Sequence, residues 1–241
     1  MKKSLRATRA AGRTSSTELH SAAGALFKEF ILGGQDGLVN VLGVILGIAV
    51  ATSNGKLVII AGLAAAFAES FSMAAVAYTS AKANEDYYHS QEARELYEIA
   101  HYPELEKEEV RQIYLAQGFQ GKLLNDIVAR IIRDKKTWLN IMMKEELGLS
   151  ADFIPPLKSA LIVGLAAMGG SIIPLAGFFF FGIKTAIVIG LIVSTVALFI
   201  TGAVEGKITV GHWVKKGVQL AVIGMGAALI GFLVGKLLSV S

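Results

Sequence analysis

Two carboxylates stand inside stretches that are otherwise apolar: Asp36 in ILGGQDGLVNVLGVILGIAVA and Glu69 in IIAGLAAAFAESFSMAAVAY. An ionised acid at hydrocarbon depth costs several kcal/mol unless it meets a cation, a partner or water, so each marks a functional site by default. On a helix, Asp36 and Asn40 are four apart and face the same way, and Glu69, Ser72 and Met73 fall at i, i+3 and i+4 on a second face. If the two stripes meet, they offer carboxylate, amide or hydroxyl oxygen and a thioether. That donor set suits a divalent transition metal of borderline softness, because magnesium and calcium prefer all-oxygen shells. A blander reading stands beside it: Met73 as lipid-facing or packing residue, and Asp36 as an acid near the first turn of its span.

A second group of donors lies between residues 84 and 148. Glu95 and Glu98 are three apart, Glu106 and Glu109 are three apart, and Pro103 separates the pairs. Each spacing puts two acids on one helical face, and a turn at Pro103 could fold the faces together. Further on, Met142, Met143 and Glu146 repeat the sulfur-plus-carboxylate chemistry on a helix ended by Gly148. Acid pairs on polar helices are also ordinary solvated faces, with Arg94, Lys107, Arg111 and Lys144 available as partners. Glu104 and Glu108 read as such surface charges.

The elements that must carry these groups follow from composition. Hydrophobic residues make up 54% of the chain and charged residues 17%, below the roughly 25% of a soluble domain. The charges cluster, and the gaps between clusters accommodate helices of about 20 residues. Five spans are expected, at 31–52, 57–81, 157–180, 183–204 and 215–238. The fold class expected is an all-α polytopic membrane protein, with five transmembrane helices and a cytoplasmic helical metal-binding insert between spans 2 and 3. The divisions are a cytoplasmic N-terminal tail and leading helix at 1–30, spans 1 and 2 at 31–82, the insert at 83–153 and spans 3 to 5 at 154–241. The insert reads as too sparsely apolar for a large core of its own, Pro174 as a kink in the third span, and Glu205 as solvated.

Basic residues before span 1 (Lys2, Lys3, Arg6, Arg9, Arg13, Lys28) and between spans 4 and 5 (Lys207, Lys215, Lys216) put the N-terminus and the insert in the cytoplasm. Glu18 and Glu29 interrupt that basic pattern, which argues against a targeting signal. The net charge of +4 belongs to this loop asymmetry rather than to nucleic acid. There is no cysteine, so a metal would be held by oxygen, imidazole or thioether. Gly33, Gly34, Gly37, Gly43 and Gly47 give span 1 a small-residue surface suited to close helix packing.

The segment ILGGQDGLV, the Ser72-Met73 pair in a span that runs on into an acidic helix, the two ExxE pairs and WLNIMMKEELGL from Trp138 to Leu149 together resemble the vacuolar iron transporter family. The likeness extends over about residues 27 to 240. It implies a homodimeric five-span transporter, not an enzyme, that exports cytoplasmic iron(II), and often manganese, in exchange for protons. No prosthetic group is implied, the metal being cargo, and the lipid bilayer is the other partner. A prokaryotic chain would lie in the cell membrane and a eukaryotic one in a vacuolar or similar membrane. The resemblance makes Glu95, Glu98, Glu106, Glu109, Met142, Met143 and Glu146 metal ligands, with Asp36 and Met73 on the membrane pathway. It also implies a membrane acid seven residues before the methionine, where this chain has Ala65. The acid here is Glu69, about 6 Å further along the axis at 1.5 Å per residue.

Two other classes fit parts of the pattern. Glu98-x-x-His101 beside Glu95 is half of a di-iron carboxylate centre, but such centres use two ExxH motifs and the chain has one. A membrane-anchored metal sensor would use the insert alone and would leave Glu69 without a purpose.

Overall fold

The computed structural model describes the backbone of residues 2–209 and 211–238, with side chains from residue 24 onward. The basic residues from Lys2 to Arg13 and Glu18, on which part of the orientation rests, therefore lie outside the described side chains. Among the described residues the protein is all-helical. The helices are α1 (Lys2–Thr52), α2 (Gly55–His101), α3 (Pro103–Ala116), α4 (Gly121–Ile132), α5 (Lys135–Ile141), α6 (Pro156–Phe180), α7 (Ile183–Ile208) and α8 (Trp213–Leu237), with a single π-helical turn at Met142–Glu146 after α5. Five of them, α1, α2, α6, α7 and α8, are long and apolar enough to cross a membrane, and the chain is an integral membrane protein. The 47 residues of α2 reach about 70 Å at 1.5 Å per residue, more than twice the roughly 30 Å of a hydrocarbon core. The helix is therefore longer than a single span requires.

The chain divides into two compact units, residues 1–79 with 156–241, and residues 80–155. In the first, α1 is the central helix. Opposite Gly33 and Gly37 lie the backbones of Val163 and Ala167 on α6, and Gly170 sits against Gly34, so close that a Cβ at any of these positions would strike main chain. Further along, Gly231 and Gly235 of α8 sit so close to the Gly43 and Gly47 carbonyls of α1 that a Cβ on either would strike them. Small residues four apart let backbones touch and gain dispersion contacts that lipid cannot match. The spacing is present twice in α1, at 33/37 and 43/47, where the sequence reading saw only a general small-residue surface. Helix α2 joins this core mostly through side chains, with Val58 and Ala66 buried against Val41, Ile45 and Leu175, and Gly164 of α6 lies against its Ser70 carbonyl.

The link from α1 to α2 is short because Ser53 adopts a left-handed backbone (φ 49°) and Asn54 caps the new helix. Its Oδ1 accepts hydrogen bonds from the Lys56 and Leu57 amides at 3.1 and 3.2 Å.

The second unit has a small core of its own. Ile99 of α2, Val110 of α3, Leu124, Val128 and Ile131 of α4, and Trp138 of α5 close around Met142. Few residues are needed because α4 is strongly amphipathic and supplies one face. Turns at Gly118 (φ 95°) and Gly121 (φ 60°) reverse the chain between α3 and α4.

Candidate metal sites

In the second unit, α2 carries Glu95 and Glu98 up to the chain reversal at Tyr102-Pro103, and α3 begins at once with Glu106 and Glu109. Pro103 occupies the first position of α3, where its missing N–H costs nothing. The reversal buries one acid from each pair. Glu95 is 3% and Glu106 2% exposed, and in each carboxylate one buried oxygen has no hydrogen-bond partner. Burial pushes both carboxyls up to about 7, reinforced for Glu95 by Glu146, Glu98 and Glu109, and for Glu106 by Glu109, Glu95, Glu98 and Glu146. Glu146 is exposed as a residue, yet desolvation at its carboxyl and then the charges of Glu109 and Glu98 also raise its pKa. Five carboxylates thus lie within electrostatic reach of one another. The nearby cation is Arg94, which binds Glu98 at 3.1 Å.

The remaining acids of α3 are ordinary surface charges: Glu104 pairs with Lys107 at 3.4 Å and Glu108 with Arg111 at 4.0 Å. Among the described residues, no three Asp, Glu or His side chains are gathered closely enough to hold one ion. The five acids feel one another's charge without converging on a single point. Met142 and Met143 open the π turn, and the amide of Leu147 reaches back five residues to the Met142 carbonyl at 3.2 Å. Such single π turns recur at functional positions. The two methionines differ: Met142 is fully buried inside the apolar cluster around Trp138, whereas Met143 is 2% exposed and lies outside that cluster. His101, the basis of the di-iron alternative, ends α2 with its ring stacked on Tyr97 and its Nδ1 at 2.8 Å from the Tyr97 carbonyl.

In the first unit the structure brings together three of the five expected membrane residues. The Glu69 carboxyl of α2 meets the side chains of Asp36 and Asn40 on α1. Asp36 and Glu69 are half-buried and Asn40 is exposed, so the cluster opens on the outer side of the α1–α2 pair. Ser72 is exposed and Met73 half-buried on the same side of α2 as Glu69, with no hydrogen bond to the cluster. Ala65 packs against the apolar core that contains Val41 and Ile45.

Two acids behave differently from the sequence reading. Glu205 is part-exposed but not free: Lys216 of α8 binds it at 2.7 Å and also donates to Thr209 at 2.8 Å. Glu29 is half-buried and accepts a hydrogen bond from Ser159 of α6 at 2.7 Å, its other oxygen buried without a partner. The available signal was its spacing, seven residues before Asp36 and so on the same face of α1.

The model of the VIT family matches residues 27–236. The chain belongs to this family. A VIT-family relative from Tulipa gesneriana, vacuolar iron transporter 1, is 31% identical over 91% of this chain and 90% of its own length. The Arabidopsis thaliana protein of the same name is 31% identical over 91% of this chain and 89% of its own length. A vacuolar iron transporter of Toxoplasma gondii is 32% identical, covering 88% of this chain and 74% of the relative. These VIT relatives are named as transporters, which supports a transporter over the di-iron oxidase.

Proposed function

We propose that the protein transports a divalent transition metal, iron(II) in the first place and manganese beside it, out of the cytoplasm in exchange for protons. The observation that carries this reading is the meeting of Glu69 with Asp36 and Asn40 between two membrane helices. A structural anchor has no use for two carboxylates there. The names of the relatives, vacuolar iron transporters, support iron as cargo. They also support a vacuolar or similar membrane if the chain is eukaryotic, and the cell membrane serves if it is prokaryotic.

The 80–155 unit, placed on the cytoplasmic side by the basic flanks of the spans, gathers metal. Glu95, Glu98, Glu106, Glu109 and Glu146 raise the local cation concentration, and Met143 adds the sulfur that favours iron(II) over magnesium. Met142 supports this set from the apolar core. Because no three acids share one point in the described structure, an arriving ion draws them together, displacing protons from Glu95 and Glu106. The ion then passes to Asp36 and Glu69, with Asn40, Ser72 and Met73 lining the way. Protons from the far side compete for the two carboxylates and release it. The site is open on one side of α1 and α2, where Val76, seven residues beyond Glu69 and so on its face of α2, is also exposed, and a second copy of the chain would complete it as a homodimer.

In proteoliposomes with an imposed pH gradient, Asp36→Ala and Glu69→Ala are expected to abolish iron(II) uptake, while Glu106→Ala mainly weakens binding. Full transport by both membrane variants would sink the reading.

A further inference from the structure

Hydroxyls on membrane helices ordinarily satisfy themselves by donating to the carbonyl one turn back. This chain does so repeatedly: Ser70 to Ala66 at 2.6 Å, Thr195 to Leu191 at 2.7 Å, Thr201 to Ala197 at 2.9 Å and Thr79 to Ala75 at 3.0 Å. Ser171 of α6 and Ser194 of α7 do not. Both are 0% exposed, and neither hydroxyl has a hydrogen-bond partner in the protein. A hydroxyl left so in an apolar interior is costly, and two of them call for a shared explanation.

They lie at one level of the fold. A Cβ on Gly190 would sit 3.0 Å from the Pro174 carbonyl, and one on Gly177 would sit 3.3 Å from that of Ala186. Helices α6 and α7 therefore run antiparallel in a register that brings Ser194, one turn beyond Gly190, level with Gly170 and Ser171. Ser194 belongs to the buried stripe Ala186, Gly190, Ser194, Leu198 of α7, so it points inward. Ser171 faces α1, where a Cβ on Gly37 would come within 2.7 Å of its Oγ. A third polar group lies nearby. Pro174 is buried inside α6, and having no N–H it leaves the Gly170 carbonyl without its helical donor.

We propose that Ser171 and Ser194 hold a buried water molecule at the break that Pro174 makes in α6, with the Gly170 carbonyl as its third partner. Two hydroxyls and one carbonyl match the two to four hydrogen bonds that a buried water makes. The set carries no charge to neutralise an ion, so a neutral ligand suits it better than a cation. The water closes the gap in the helix ladder and ties α6 to α7 beside α1, a residue away from Asp36. This site is independent of the transport reading.

The test is thermal unfolding of the full chain in detergent, with a structure of the wild type at a resolution that shows water. If the hydroxyls bind water, Ser171→Ala and Ser194→Ala each lower the Tm by about 2–4 °C, in the range expected for a lost buried hydrogen bond. The double variant then loses less than the sum, since the first change already frees the water. A density peak within 3.2 Å of both hydroxyls is expected in the wild type. Higher Tm values for the alanine variants would mean that the hydroxyls are unpartnered, and overturn the proposal. So would a wild-type structure with the hydroxyls bonded directly to each other, or a Tm that depends on replacing sodium or potassium with N-methylglucamine, which would point to a cation instead.

Discussion

The acids of the 80–155 unit and those of the membrane unit differ in how far one chain completes them. Glu95 and Glu106 are sealed by folding, each with a buried, unpartnered oxygen and an elevated pKa. Asp36 and Glu69 keep each other and Asn40 as partners and remain half-buried on an open side of α1 and α2. On the proposed reading, burial of the first set stores protons that a metal can displace. Openness of the second leaves room for an ion and for whatever covers it. A holding site and a passing site call for such different surroundings.

The difference can be broken most directly by neutralising one acid of each kind. Asp36→Asn is expected to cut the saturated transport rate by about 100-fold, roughly 2.7 kcal/mol of barrier, while metal bound to the detergent-solubilised chain is unchanged. Glu106→Gln is expected to do the reverse, weakening binding about tenfold and sparing the saturated rate. If both variants lose both properties, the division between holding and passing is wrong.

The methionines sharpen the holding half. Met142→Ala opens a cavity beside Trp138 and is expected to cost about 2–5 kcal/mol, seen as an earlier unfolding transition. Met142→Leu keeps the volume, costs less than about 1.5 kcal/mol and leaves iron(II) affinity intact. Met143→Leu is expected to lower the affinity for iron(II) relative to magnesium without an earlier transition. Weakened iron(II) binding by Met142→Leu would make Met142 a ligand after all.

Acidity separates the two regions next. Glu95 and Glu106 have pKa values near 7 in the fold, raised from 4.5, so the folded state binds their protons more tightly than the unfolded one. Their contribution to the stability of the metal-free chain is complete below pH 4.5 and is lost as pH rises through 7. Metal binding runs the other way: below pH 7 each ion must displace protons, and affinity falls as pH drops. Titration calorimetry in two buffers of different ionisation heat should show proton release at pH 6 that fades by pH 8, and less release for Glu106→Gln. The smallest effect is expected at Glu205→Gln, where losing the part-exposed pair with Lys216 costs at most about 1 kcal/mol and leaves transport unchanged.

Much of this arrangement is legible in the sequence. Five apolar stretches announce five helices because lipid permits no other backbone, and the ExxE spacings on either side of Pro103 show which acids share a face. The sequence does not show which acid of each pair is buried, because that depends on how α3 turns back at Tyr102. Met142 and Met143 look equivalent as neighbours until α4 and α5 supply the apolar cluster that claims one of them. Glu29 and Glu205 find partners 130 and 11 residues away, beyond any local pattern. The paired glycines at 33/37 and 43/47 were readable, and their four-residue spacing says more than their number.

Those glycines also divide the membrane unit mechanically. Helix α1 touches α6 on one side and α8 on another, main chain against main chain, so sliding or rotating it would drive backbone into backbone. Helix α2 meets the same core mostly through side chains, which change rotamer at little cost, although Gly164 of α6 lies close against the Ser70 carbonyl. A motion that presents Asp36 and Glu69 first to one side of the membrane and then to the other breaks least if α1 is the stator and α2 the part that turns.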